Sequence, residues 1–149
     1  MKKTLNNHGM TLVELLVSSA VLILAVAGIL TSYLRAMELA ETSRNMSRAV
    51  HAAQTRMEEI RSSEYDSIVV DYHQAQFLIN GLDGYGISYV DNSTADLLEI
   101  MVSVMWEQKN GRVYGEDKNL NGVIDAGEDL NGNGLMDSPV FLRSRLFER

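Results

Sequence analysis

Near its carboxyl-terminal end the chain reads Asp117-Lys118-Asn119-Leu120-Asn121-Gly122-Val123-Ile124-Asp125-Ala126-Gly127-Glu128, oxygen-bearing side chains alternating with other residues and closing on an acid. Asp117, Asn119 and Asn121 offer side-chain oxygens at the first, third and fifth positions, and Val123 offers its carbonyl at the seventh. Asp125 stands where a ligand acts directly or through a water, and Glu128 where a carboxylate can bind with both oxygens. Gly122 falls where such a loop turns sharply. An oxygen-only donor set on a flexible loop suits a large hard cation, Ca2+, better than magnesium or zinc. A second set follows at once: Asp129, Asn131, Asn133, Leu135 and Asp137, with Gly134 at the turn. Its closing position is Val140, so the expectation is either one well-formed site or two ions sharing acids, with Asp137 or Glu116 helping. The plainer alternative is a solvated Asp/Asn/Gly linker rich in turns.

Charge gives the ion a physical role. From Glu116 to Asp137 there are six acids against Lys118 alone, and their repulsion favours an open segment. A divalent ion gathers them, and an ion that binds only the folded form stabilises it by mass action. The chain has no cysteine, so no disulfide can staple a domain this small. Extracellular calcium modules have dissociation constants of about 10⁻⁴ to 10⁻³ M, which suits loading after export.

The second residue placed for chemistry is Glu14. It follows Gly9-Met10-Thr11-Leu12-Val13 and is the sole charge in a run that stays apolar or small to Leu34. An ionisable group in a bilayer-length segment is costly and reads as functional. Leu15 to Leu34 rises about 30 Å as a helix, roughly one hydrocarbon thickness. Lys2 and Lys3 place the amino end in the cytoplasm, with Arg35 opposing slightly from the far flank. A secretory signal has its small-residue cleavage site after the apolar run, whereas here Gly9 precedes it.

Gly9-Met10-Thr11-Leu12-Val13-Glu14-Leu15-Leu16 resembles the class III signal of type IV pilins and type II secretion pseudopilins. The resemblance implies cleavage by a prepilin peptidase between Gly9 and Met10, followed by methylation of the Met10 amine. It implies that Glu14 pairs with the terminal amine of a neighbouring subunit. An ammonium in or near lipid needs a counter-charge, and a carboxylate on another helix supplies one only with an axial stagger. The chain departs from the family at Met10, where phenylalanine is usual. Its sole proline, Pro139, lies outside the apolar segment, and the strand ending at Trp106 with Glu107-Gln108-Lys109-Asn110-Gly111-Arg112 looks like a minor-pilin hairpin. Both points lean toward a minor subunit of the type IV pilus modification group or a minor pseudopilin. The implied partners are other pilin or pseudopilin subunits, prepilin peptidase, an inner-membrane assembly platform and membrane lipid. The implied location is the bacterial inner membrane, single-pass with the carboxyl-terminal domain outside the cytoplasm, then a pilus or pseudopilus.

The elements that must position these residues follow from periodicity. One helix is expected from about Thr11 to Ser62, with Met46, Val50, Ala53, Met57 and Ile60 forming an apolar stripe. The expected segments are a leader over 1–9, a membrane and assembly half over 10–34, an amphipathic half over 35–62 and a β domain over 63–149. Ser63 to Asn80 shows no clear period, and Gly81, Gly84 and Gly86 mark a turn region. Strands are expected over Gly86–Val90, Leu98–Glu107 and Val140–Phe147, with Asp91–Thr94 as a turn. The fold class is α+β: a long helix packed on a three-stranded antiparallel sheet, with the calcium-loop segment 117–137 inserted.

Other functions find little footing. A net charge of −7 with no basic patch speaks against nucleic acid. His8, His51 and His73 lack zinc-ligand spacing, Glu58 and Glu59 are adjacent and point apart on a helix, and no phosphate-cradling loop or nucleophile elbow occurs. The chain reads as no enzyme. Two classes remain: a filament subunit, or a single-pass, membrane-anchored calcium-binding interaction module that does not polymerise.

Overall fold

The computed structural model describes residues 10–148. The expected cleavage residue Gly9 therefore lies outside the described residues, while Met10 and Glu14 lie within them. The chain is α+β: a long amino-terminal apolar helix followed by a small antiparallel sheet. It divides into two compact units, Met1–Glu41 and Thr42–Arg149.

Helix α1 runs from Leu12 to Ser62. Thr11 caps its start, since Thr11 Oγ1 accepts the Glu14 N–H at 3.2 Å. At its end the hydroxyls of Ser62 and Ser63 both donate to the Glu59 carbonyl, and Arg61 sits in the last turn. Among the described residues α1 is the one helix long and apolar enough to cross a membrane. Its later part buries Asn45, Ala49, Ala53, Met57 and Ile60. Met46 and Val50 are only half-buried, so the buried stripe begins one residue earlier than periodicity alone suggests.

In the second unit a short helix α2 (Tyr65–Tyr72) precedes strands β1 (Ala75–Leu78), β2 (Asp83–Thr94), β3 (Leu97–Glu107), β4 (Val113–Tyr114) and β5 (Val140–Phe147). The sheet thus has five strands, where the sequence led us to expect three. The segment 63–80 supplies α2 and β1, and each is too short to show a period. β2 absorbs Asp91–Thr94, expected as a turn, and the chain reverses at Ala95-Asp96, where Asp96 takes φ 58°. Gly84 and Gly86 are strand residues. A Cβ on Gly86 would lie 2.1 Å from the Phe77 ring, and one on Gly84 would lie 2.1 Å from the Met105 carbonyl oxygen, so Gly86 makes room for an aromatic ring and Gly84 for the neighbouring strand's backbone.

β3 is the centre of the sheet. β2 pairs with it along one edge from Thr94↔Leu97 to Asp83↔Glu107. Along its other edge β5 covers Leu97 to Val104, and β4 covers Trp106 and Glu107. The segment between β4 and β5 therefore leaves the sheet beside Trp106 and returns beside Val104. Leu98, Ile100, Val102, Val104 and Trp106 share one face and join Ala49, Ala53, Met57 and Ile60 of α1 and Ile68 of α2 in the main core. Trp106 is fully buried and stacks on Tyr114, ring centroids 4.9 Å apart.

The opposite face is buried as well. Tyr85, Ile87, Tyr89, Met101, Met105 and Met136 form a second apolar cluster, with Leu120 and Leu135 packed against it. Among the described residues no helix or strand covers this face. Its cover is the chain between β4 and β5.

Candidate metal centre

The segment 117–128, loop 1, is organised by its own oxygens. Asp117 Oδ2 accepts the Gly122 N–H at 2.8 Å, and Oδ1 accepts that of Asn121 at 3.3 Å. Asn119 and Asn121 accept the N–H groups two residues on, at 2.9 and 2.7 Å. Gly122 takes φ 79°, the left-handed turn that places its N–H toward Asp117. The Glu128 carboxylate bridges the loop, Oε1 accepting from Lys118 N at 2.8 Å and Oε2 from Asp125 N at 3.0 Å. Leu120 sits at φ 54°, strained for a branched side chain, and is held there with its side chain against the second apolar cluster.

Loop 2, residues 129–140, repeats this arrangement. Asp129 Oδ2 accepts the Gly134 N–H at 2.8 Å and Oδ1 that of Asn133 at 3.1 Å. Asn131 and Asn133 accept from Asn133 N and Leu135 N at 3.0 and 2.7 Å. Gly134 has φ 72°.

Tyr85 and Tyr89 of β2 fasten the two loops to the sheet. The Tyr85 hydroxyl donates to Asp117 Oδ2 and lies 3.1 Å from Met136 Sδ, so one phenol touches both loops. Asp117 is fully buried. Burial first, then the hydrogen bond to Asp117, raise the Tyr85 pKa well above its ordinary value, which keeps the phenol a donor. The Tyr89 hydroxyl accepts the Met136 N–H at 3.0 Å, and burial raises its pKa too. From β1, Gln76 Nε2 donates to Gly122 O at 2.9 Å. Sequence reasoning gave none of the three a role at the loops: it began the strand at Gly86, one residue past Tyr85, placed Tyr89 in that strand with no partner named, and left the segment around Gln76 unassigned. The Tyr85–Ile87–Tyr89 alternation was the available signal.

Asp117, Asn119, Asn121, Asp125 and Glu128 are joined in one hydrogen-bonded loop, and likewise Asp129, Asn131, Asn133 and Asp137. In both loops the ninth-position carboxylate is met by amide nitrogens: Asn119 and Asn121 Nδ2 each lie 2.8 Å from Asp125 Oδ2, and Asn131 and Asn133 Nδ2 lie 2.7 and 2.9 Å from Asp137 Oδ2. Accordingly, among the described residues no three acidic or histidine side chains converge as a metal-holding group. Calcium loops also draw on amide and main-chain carbonyl oxygens. Each amide carries an oxygen and a nitrogen on one carbon, so half a turn exchanges donor for acceptor. The donors are oxygens of the kind a hard cation takes, and an asparagine that turned toward one would give up the main-chain N–H its oxygen now accepts. The Val123 and Leu135 carbonyls stand at the seventh positions, and the N–H groups of these residues donate to Asn121 and Asn133 Oδ1.

Glu14 is exposed in the first turn of α1. Thr11 and Glu14 have the spacing of a helix-capping pair, and an acid there is favoured by the helix dipole. No family model, curated protein or solved structure matches this chain.

Proposed function

We propose that the chain is a non-catalytic filament subunit of the type IV pilin and pseudopilin class, a minor pilin or minor pseudopilin, whose exported domain is stabilised by Ca2+. The observation that carries the reading is the register of three features. A glycine, then an acid at the fifth residue after it, opens a helix whose first part is wholly exposed and apolar and whose later part buries a stripe. On this reading prepilin peptidase cuts between Gly9 and Met10, and the Met10 amine is methylated. Glu14 then neutralises that amine on an adjacent subunit during assembly from the inner membrane into a pilus or pseudopilus. Other subunits, an assembly platform and lipid are its partners.

Calcium would be held by Asp117, Asn119, Asn121, the Val123 carbonyl, Asp125 and Glu128, with a second ion at Asp129, Asn131, Asn133, Leu135 and Asp137. When bound it supplies positive charge to six acids that otherwise repel one another. The chain's own groups do the rest: Tyr85 orients Asp117, and Leu120, Leu135 and Met136 seat the loops on the sheet.

Mass spectrometry of the protein recovered from membranes tests the reading. A mature chain beginning at Met10 is expected; one retaining residues 1–9 removes the filament role. The Thr11–Glu14 capping pair favours a second reading, since it accounts for an acid at this place without assembly. Under that reading the chain is a single-pass, calcium-binding interaction module that does not polymerise, and neither the unmodified chain nor Glu14→Gln co-sediments with pilin subunits.

A further inference from the structure

We infer that Glu116, which precedes loop 1 in the chain, is the closing ligand of loop 2, so that the two calcium sites are laced through one another. The inference rests on the calcium reading above and adds a ligand to it.

Loop 2 cannot use its own twelfth position. Val140 is buried, belongs to the main core and pairs with Val104 in the sheet. Ser138 hydrogen-bonds the Val104 carbonyl through its hydroxyl, which also accepts the Val140 N–H at 3.2 Å. The tenth to twelfth positions are thus committed to β5, and a carboxylate must come from elsewhere.

Glu128 defines what a closing residue does in loop 1, and three contacts identify it. Oε1 takes the N–H of the second position, Oε2 takes that of the ninth, and its own N–H donates to the ninth-position carbonyl, Asp125 O, at 3.1 Å. Glu116 makes the same three contacts with loop 2. Its Oε1 accepts from Leu130 N at 3.3 Å, Oε2 accepts from Asp137 N at 3.0 Å, and its N–H donates to Asp137 O at 2.9 Å. Within loop 2 the first, third, fifth, sixth and ninth positions repeat the contacts these positions make with one another in loop 1, and Asp129 Oδ1 takes the Gly132 N–H in addition. Glu116 completes the match. The other candidate for that role, Asp137, is used at the ninth position, where it receives both asparagine amides.

Chain order and site membership therefore cross. Glu116 adjoins Asp117, the first ligand of loop 1, yet serves the loop that Asp129 opens; Glu128 adjoins Asp129, yet serves loop 1. Neither loop closes until the residue flanking the other is in place, so the insertion forms as one unit.

Counting bound calcium by native mass spectrometry of the full-length protein in detergent tests this, using Glu116→Gln, Asp129→Asn, Asp117→Asn and Glu128→Gln. Two ions are expected in the unmodified chain. Glu116→Gln and Asp129→Asn should each remove one, weakening it by at least ~10-fold, and the double variant should still hold one. The ion that remains shows that the variants fold. Glu116→Gln combined with Asp117→Asn should hold none. Two ions in Glu116→Gln, or loss of the same single ion by Glu116→Gln and Asp117→Asn, overturns the assignment. So does loss of both ions on Glu116→Gln alone. One ion in the unmodified chain, removed by Glu128→Gln but not by Glu116→Gln, leaves the loop 1 reading standing and ends this one. No ion at all ends both.

Discussion

β3 faces two very different coverings. On one side Leu98, Ile100, Val102, Val104 and Trp106 meet Ala49, Ala53, Met57 and Ile60 of a regular helix. On the other, Met101 and Met105 meet Leu120, Leu135 and Met136 from a segment with neither helix nor strand. A helix satisfies its own backbone and brings a ready apolar stripe. An irregular segment must satisfy its backbone through side chains, and here Asp117, Asn119, Asn121, Glu128 and their counterparts in loop 2 accept the N–H groups that no ladder takes up. The second covering needs polar organisation before it can deliver three apolar anchors. It should therefore respond to ions and to single hydrogen bonds, while the first responds to volume.

The largest effect is expected on the helix-covered face. Trp106→Ala removes a fully buried ring stacked on Tyr114 and should cost about 3–5 kcal/mol, read as urea unfolding followed by circular dichroism. A cost below ~1 kcal/mol would mean that this face is not the main core. Next comes the ion. Chelation should remove about 2.7 kcal/mol relative to free calcium a hundredfold above the dissociation constant, and should open 116–137 to protease. Trp106 is the sole tryptophan and lies on the other face, so its emission separates the two coverings. Loop cleavage without a red shift sharpens the contrast. A red shift in step with cleavage breaks it, showing that the two coverings come off together.

The contrast also explains what could be read from the amino acids. The helix face was legible because its signals are periodic: α1 within a residue of its observed ends, and the alternation of Leu98 to Trp106 along β3. The loops were legible as a ligand pattern, since Asp, Asn and Gly recur at fixed offsets. Their second role was hidden. Met101, Ser103 and Met105 alternate with the core residues and look like a solvent face until the insertion covers them, a contact between positions far apart in the chain. α2 and β1 were illegible for a different reason, their lengths of 8 and 4 residues holding too few repeats of either period. Gly84 and Gly86 misled because a glycine that admits a neighbouring backbone or ring looks the same in sequence as one that admits a turn.

A smaller effect is expected where the loops are tied to the sheet. Tyr85→Phe keeps the ring in the second cluster and deletes one hydrogen bond to a buried carboxylate. The Gly122 N–H remains on the same oxygen, so the cost should be about 1.5 kcal/mol, near the lower end for a bond to a charged group. Calcium affinity should fall with it, because Asp117 loses the contact that aims it. Equal destabilisation with and without calcium would show that the phenol serves only packing.

The smallest effect marks where the second covering ends. Glu99 and Arg145 lie opposite one another on β3 and β5, on the loop-covered side of the sheet, with Arg145 Nη2 2.6 Å from Glu99 Oε1. Their side chains are 46% and 68% exposed, so water screens the pair and Glu99→Ala should cost less than ~1 kcal/mol, vanishing in high salt. Met101, two residues along β3, is only 5% exposed. The boundary of the insertion's cover thus falls between these two positions. A cost of several kcal/mol that survives salt would place Glu99 under cover as well, and the irregular segment would then shield as much of the sheet as the helix does.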